Sequence, residues 1–179
     1  MKNKEFDEFV TKQFSEANEP DIDWSKNRDE WLIYLSEFYK KVESFLKDYV
    51  SKGQITINYN TKKIFEEHIG EYEVKTANIQ LGRNQIKLDP IGTNLIGAKG
   101  RVDMIGPNGT VKLVLVDRDA SAPAISVQVW VHGEEPPQEK EKSKKIEWAW
   151  KISTPPPHIK YIELLQESFF DVFTEIANG

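Results

Sequence analysis

Apolar residues recur along this chain with two different periods, and the change of period divides it into elements. Phe6, Phe9, Val10 and Phe14 stand three or four positions apart, which predicts a short amphipathic helix over about 3–15. Pro20 breaks that pattern. Trp31, Leu32, Leu35, Phe38, Tyr39, Val42, Phe45, Leu46 and Tyr49 then form one wide stripe, predicting a second helix over about 25–52 with Gly53 as its stop. From Gln54 the period falls to two, the mark of strands. Ile55, Ile57 and Tyr59 share a face. The segment from Tyr72 to Leu81 and the segment QIKL flank Gly82, Arg83 and Asn84 as a hairpin.

After a bend at residues 89–92 comes a second hairpin, KGRVDMI and TVKLVLV around Gly106–Pro107–Asn108–Gly109. AISVQVWV and KIEWAWKIS supply two further strands, and residues 134–145, low in apolar content, read as a long mobile loop between them. Pro155, Pro156 and Pro157 end the last strand. Ile162, Leu165, Phe169, Val172, Phe173 and Ile176 then predict a long C-terminal helix over about 157–177, started by Thr154 or by His158.

The expected fold is therefore α+β: two N-terminal helices, a mainly antiparallel meander of six or seven strands over about 54–153, and one C-terminal helix, in a single domain over 1–179. No segment between strands resembles the helical crossover that a parallel sheet needs. Val102 and Met104 alternate with Arg101 and Asp103, and Ile125, Val127, Val129 and Val131 alternate with Ser126, Gln128, Trp130 and His132. One sheet face should meet the helices and the other should be polar.

Composition narrows the function classes. A net charge of −5 with 30% charged residues has no basic excess, which argues against a nucleic-acid binder whose affinity rests on Lys and Arg contacts to phosphate. With no cysteine, disulfides, thiolate metal sites and thiol nucleophiles are excluded, and a reducing compartment fits. The first residues lack the apolar core of a signal peptide and no window reaches the apolar length of a membrane span, so the expectation is cytoplasmic residence without membrane contact, in the compact style of a bacterial protein.

The stretch Gly100–Asp119 resembles part of the PD-(D/E)XK nuclease core, in which one hairpin strand ends in a metal-binding Asp and the next carries Glu-x-Lys. The resemblance implies that Asp103 is the metal-binding Asp. The Glu and Lys positions then fall near Leu115 and Asp117, which cannot do those jobs. Moving the register to Asp117 and Asp119 leaves Arg118 on the opposite face, so the nuclease is a degenerate one at best.

No other catalytic pattern emerges. His68, His132 and His158 do not stand at metal-ligand spacing, Ser121 and Ser126 lack a nucleophile elbow, and the glycines from Gly92 to Gly109 lack phosphate-loop signatures. No cofactor, no metal site and no catalytic residue is expected. The expected function is a non-enzymatic protein-interaction domain, an adaptor, inhibitor or immunity-like protein whose partner is another protein. Its candidate binding residues are Arg101, Asp103, Gln128, Trp130 and His132 on the polar sheet face, where Arg and aromatic side chains favour binding hot spots. The alternative is a small-molecule site in an apolar cavity between the sheet and the C-terminal helix, lined by Tyr59, Trp148 and Phe169.

Overall fold

The Asp23 carboxylate accepts a hydrogen bond from the Lys26 backbone N–H at 2.9 Å and so caps helix α1, Trp24–Ser51. The computed structural model describes residue 6 and residues 23–93, 97–124 and 146–178. The expected helix over 3–15, apart from Phe6, lies outside the described residues, as do the expected strand over 125–132 and the loop over 134–145. Phe6 is helical and exposed. Helix α1 buries Trp31, Leu35, Phe38, Tyr39, Val42 and Leu46, the predicted stripe, and stops where Gly53 takes a φ of 69°.

Among the described residues, seven strands follow in one antiparallel sheet whose spatial order is their order in sequence: β1 Ile55–Glu66, β2 Gly70–Leu81, β3 Asn84–Gly92, β4 Gly100–Gly106, β5 Gly109–Asp117, β6 Trp148–Ser153 and β7 Tyr161–Glu163. The expected meander is thus present. The first hairpin is longer than periodicity indicates. Strands β1 and β2 pair from Ile55↔Leu81 to Glu66↔Gly70, whereas β2 pairs with β3 only between Ala77↔Leu88 and Leu81↔Asn84. Although β3 continues to Gly92, the outer half of the hairpin beyond Ala77 is therefore no longer paired with β3. Its buried face also changes: Ala77 and Ile79 are buried in the inner half, but Tyr72 and Val74 in the outer half. Strand twist rotates the ribbon as it leaves the sheet, and the adjacent buried pair Thr76 and Ala77 marks the switch.

The expected bend at 89–92 is a β-bulge inside the sheet. Pro90 pairs with Val102 and Gly92 with Arg101, leaving Ile91 without an opposite residue. Gly92 has a φ of 131°, and a Cβ there would lie 2.9 Å from Glu66 Oε1. That approach seats the buried Glu66 carboxylate, which accepts hydrogen bonds from the Thr93 N–H at 3.0 Å, the Thr93 hydroxyl at 2.8 Å and the Tyr72 hydroxyl. The hairpin tip is thereby tied to the end of β3.

Two glycines on β4 show where the helices lie. A Cβ on Gly100 would meet the Trp31 ring of α1, and a Cβ on Gly106 would meet the Ile176 carbonyl oxygen of helix α2, Gln166–Ala177. Gly100, Val102, Met104 and Gly106 alternate along one strand face, so both helices cover the same side of the sheet. Phe45 and Phe169 meet across them with ring centroids 5.5 Å apart. Among the described residues, no helix is long and apolar enough to cross a membrane.

The C-terminal helix departs from its expected bounds. It spans 12 residues from Gln166, whereas the apolar spacing placed its start near 157. Thr154 closes a loop instead, its N–H donating to the Lys160 carbonyl at 2.9 Å and its hydroxyl accepting the Lys160 N–H at 2.7 Å. The chain then returns as β7, with Ile162 opposite Ile152, and Ile162 is exposed rather than part of the helix stripe. Neither Thr154 nor His158 starts α2. Ser168 does so by accepting the Leu165 N–H at 3.0 Å.

Candidate functional site

An open groove of about 510 Å³ lies between the β1–β2 hairpin and the middle of α1, from Leu32 to Glu43. Its floor is made by Leu35, Tyr39 and Val74, all buried, and its rim by Lys40, Glu43, Glu73 and Lys75, all exposed. Tyr39 reaches the floor because the helical period turns it inward, and its hydroxyl donates to the Lys75 carbonyl. Tyr59 projects from β1 into the same groove and donates to Glu43 Oε1 at 2.5 Å. The two phenols stand edge to face at 5.3 Å and 85°, with Lys75 Nζ 6.0 Å from the Tyr59 ring centre.

Three tyrosine hydroxyls are held well above the ordinary phenol range. For Tyr39, burial is the main cause, followed by the charges of Tyr59 and Asp89. For Tyr59, burial of the phenol is followed by its hydrogen bond to Glu43 and that carboxylate's charge. For Tyr72, burial leads, Glu66 adds a hydrogen bond and a charge, and the Trp31 indole acts in the opposite direction. That indole N–H is buried and has no hydrogen-bond partner among the described residues.

Tyr59 remains 37% exposed and is screened by solvent, so the consequence for stability rests on Tyr39 and Tyr72, which are 6% and 8% exposed. A folded-state phenol pKa above the unfolded value near 10 contributes stability that is complete below about pH 10 and is lost as pH rises further. Denaturant midpoints measured between about pH 9 and pH 11 should therefore hold level and then fall, and Tyr72→Phe should flatten the decline. An unchanged profile in that variant would remove Tyr72 from this account.

The polar sheet face is arranged differently from the groove. Arg101 donates to both Asp103 carboxylate oxygens, at 2.7 and 2.8 Å, and the two side chains satisfy each other on β4. That pairing raises the Arg101 pKa, with burial opposing it. Asp89, directly opposite Asp103, binds Lys62 at 2.9 Å and Lys87 at 3.3 Å. The structure thus brings Arg101 and Asp103 together. Gln128, Trp130 and His132 lie outside the described residues.

The nuclease-like hairpin does not assemble its acidic residues. Asp103 stands opposite Lys112, and Asp117 lies five residues farther along β5, roughly 17 Å away by strand rise. Asp117 accepts the Asp119 N–H at 2.9 Å in a local turn. Among the described residues, no group of three His, Cys, Asp or Glu side chains is placed to hold a metal ion. Millimolar Mg²⁺ or Mn²⁺ should leave the melting temperature unchanged, because an ion without a site confers no mass-action stabilisation. A rise that disappears in Asp103→Asn would reverse this.

Periodicity missed the groove because Tyr39 and Tyr59 fit apolar stripes and carry no local signature of a site. It also missed Lys151, whose signal was present: a lysine between Trp150 and Ile152 in an apolar strand. Lys151 is buried, and its ammonium donates to the carbonyls of Arg118 at 2.6 Å and Ala120 at 2.7 Å, fastening the segment after β5 to the sheet. His68 stacks on Trp24 with centroids 4.8 Å apart. No protein family, curated protein or solved structure matches this chain.

Proposed function

We propose that this chain is a non-enzymatic protein-interaction domain of the bacterial cytoplasm, with an adaptor, inhibitor or immunity-like role, and that the α1–hairpin groove is where its partner docks. The observation that carries this reading is the groove itself: an apolar, aromatic floor of Leu35, Tyr39 and Val74 inside a rim of charged side chains. A buried aromatic centre within a polar margin is the arrangement in which interface energy concentrates. Arg101 and Asp103 supply a second polar surface, but their mutual pairing leaves them less to offer a partner than the groove does.

A small-molecule reading is favoured by the groove's volume, about 510 Å³, which falls in the range of ligand sites. Its location differs from the expected cavity at the C-terminal helix. Tyr59 contributes to the groove, whereas Phe169 is fully buried and Gly106 packs directly on Ile176.

A photo-reactive amino acid placed at Ser36 or Thr61, both exposed at the groove, or at Lys112 on the opposite sheet face, tests the choice in cells that make the protein. Protein adducts from Ser36 and Thr61 but not from Lys112 are expected. Adducts from Lys112 alone would move the interface to the sheet face. Adducts from none of the three would overturn the protein-partner reading.

A further inference from the structure

We infer that the outer edge of β1 pairs with the same edge of a second copy of this chain, joining two sheets into one about a twofold axis at Thr61. Among the described residues the sheet has two edges, and they differ. Strand β7 is 3 residues long, which limits what it can recruit. Strand β1 is 12 residues long, contains no proline and pairs with β2 without a bulge. Among the described residues, no other strand or loop backbone bonds to its outer side. An unbroken edge of this length offers another strand a ladder of backbone donors and acceptors.

Lysines on an edge ordinarily oppose such pairing, and β1 carries two. Both are drawn inward. Lys62 donates to the Asp89 carboxylate at 2.9 Å and the Pro90 carbonyl at 3.0 Å on β3, and Lys63 donates to Glu71 on β2 at 2.7 Å. The order of residues in β1 then suits a second copy of itself. In an antiparallel pair only alternate residues turn both backbone groups toward the partner strand, and these face one another, so a twofold axis passes through a residue. An axis at Lys62 or Lys63 sets like charges face to face, and one at Asn60 sets Ile57 against Lys63. With the axis at Thr61, Phe65 of each copy meets Ile57 of the other, Tyr59 meets Lys63, and Asn60 meets Lys62. Phe65 is 76% exposed and Ile57 is half-buried, so both have apolar surface to cover. Aromatic residues opposite β-branched ones favour pairing, and symmetry supplies that match twice. The ladder over residues 56–66 holds about ten backbone hydrogen bonds, as many as a standard interface.

The chain contains no cysteine, so single introduced thiols report the register. Opposite Cα atoms in an antiparallel pair lie about 4.5–5.5 Å apart, a span that a disulfide accepts. Under mild oxidation of the full chain, Thr61→Cys should link to itself. Phe65→Cys alone should not, because the two copies of residue 65 would lie roughly 27 Å apart by strand rise, whereas a mixture of Phe65→Cys with Ile57→Cys should link. Sedimentation of the wild type should show a mass that rises toward two chains with concentration. Phe65→Lys, at an exposed site that leaves the core intact, should weaken association about tenfold by removing both Phe–Ile contacts.

A single-chain mass at every concentration would overturn the pairing, as would Phe65→Cys linking to itself as readily as Thr61→Cys. A photo-reactive amino acid at Phe65 that captured a different protein and never a second copy would overturn it too. Ser36 keeps this inference separate from the groove reading, because it lies on α1 and not on the β1 edge. Adducts from Ser36 with a single-chain mass would retain the groove partner and remove the dimer. A dimer without Ser36 adducts would do the reverse, and a Thr61 adduct of two chains counts toward the dimer.

Discussion

Replacing Phe169 with alanine should lower the unfolding free energy by roughly 3–5 kcal/mol, the cost of emptying a fully buried aromatic site. Phe169 is 0% exposed, and its ring touches Phe45 of α1 at 5.5 Å and Phe173 of its own helix at 5.6 Å. It joins both helices over the sheet, so the neighbouring structure cannot collapse to fill the space without separating them. Ile162→Ala is the matched control. That residue belongs to the same apolar pattern in the sequence but is exposed on β7, so its replacement should cost about 0.5 kcal/mol or less. Chemical denaturation of the two variants checks both values. A Phe169 effect below about 1 kcal/mol would place α2 outside the cooperative core.

Gly100→Ala should be nearly as damaging, although it adds a single methyl group. That methyl would stand 2.1 Å from Trp31 Cζ3 and 2.3 Å from Cε3, and the indole is 0% exposed with no room to withdraw. Overpacking of this severity costs about 3 kcal/mol. The penalty belongs to the pair rather than to the glycine. In a Trp31→Leu background, which itself destabilises the fold, adding Gly100→Ala should cost at least about 1 kcal/mol less than it does in wild type. Equilibrium denaturation of the four proteins measures the coupling, and strict additivity would show that the clash is relieved elsewhere.

Those two sites also show what could be read from the sequence. Phe169 stood on an apolar stripe, and a stripe reports burial directly because burial is what selects it. The Gly106–Pro107–Asn108–Gly109 turn likewise announced its hairpin, since few residues allow that geometry. Ile162 carried the same helical spacing and was misplaced. The spacing records apolar content, whereas the strand comes from the hydrogen bonds of Thr154 to Lys160 and the pairing of β7 with β6. The role of Gly100 was invisible for a related reason. Trp31 lies 69 residues before it, and nothing local records so distant a neighbour. Of the candidate site, Arg101 and Asp103 were found by alternation, but only coordinates show that they bind each other. The groove needed Tyr39 and Tyr59 to converge from a helix and a strand.

The sequential order of the strands has a kinetic side. Each pairing from β1 to β5 joins segments adjacent in the chain, so closing them requires only short loops and little entropy. The exception is β5 with β6, separated by residues 118–147. A nucleus is therefore expected to form among the early hairpins, with β6, β7 and α2 joining after this longer separation in sequence has been closed. Core substitutions in β2–β5 should then slow folding, whereas Phe169→Ala should act mainly by accelerating unfolding. The same order gives a growing chain an advantage: five strands and the helix that covers them can pair before the last third has been synthesised.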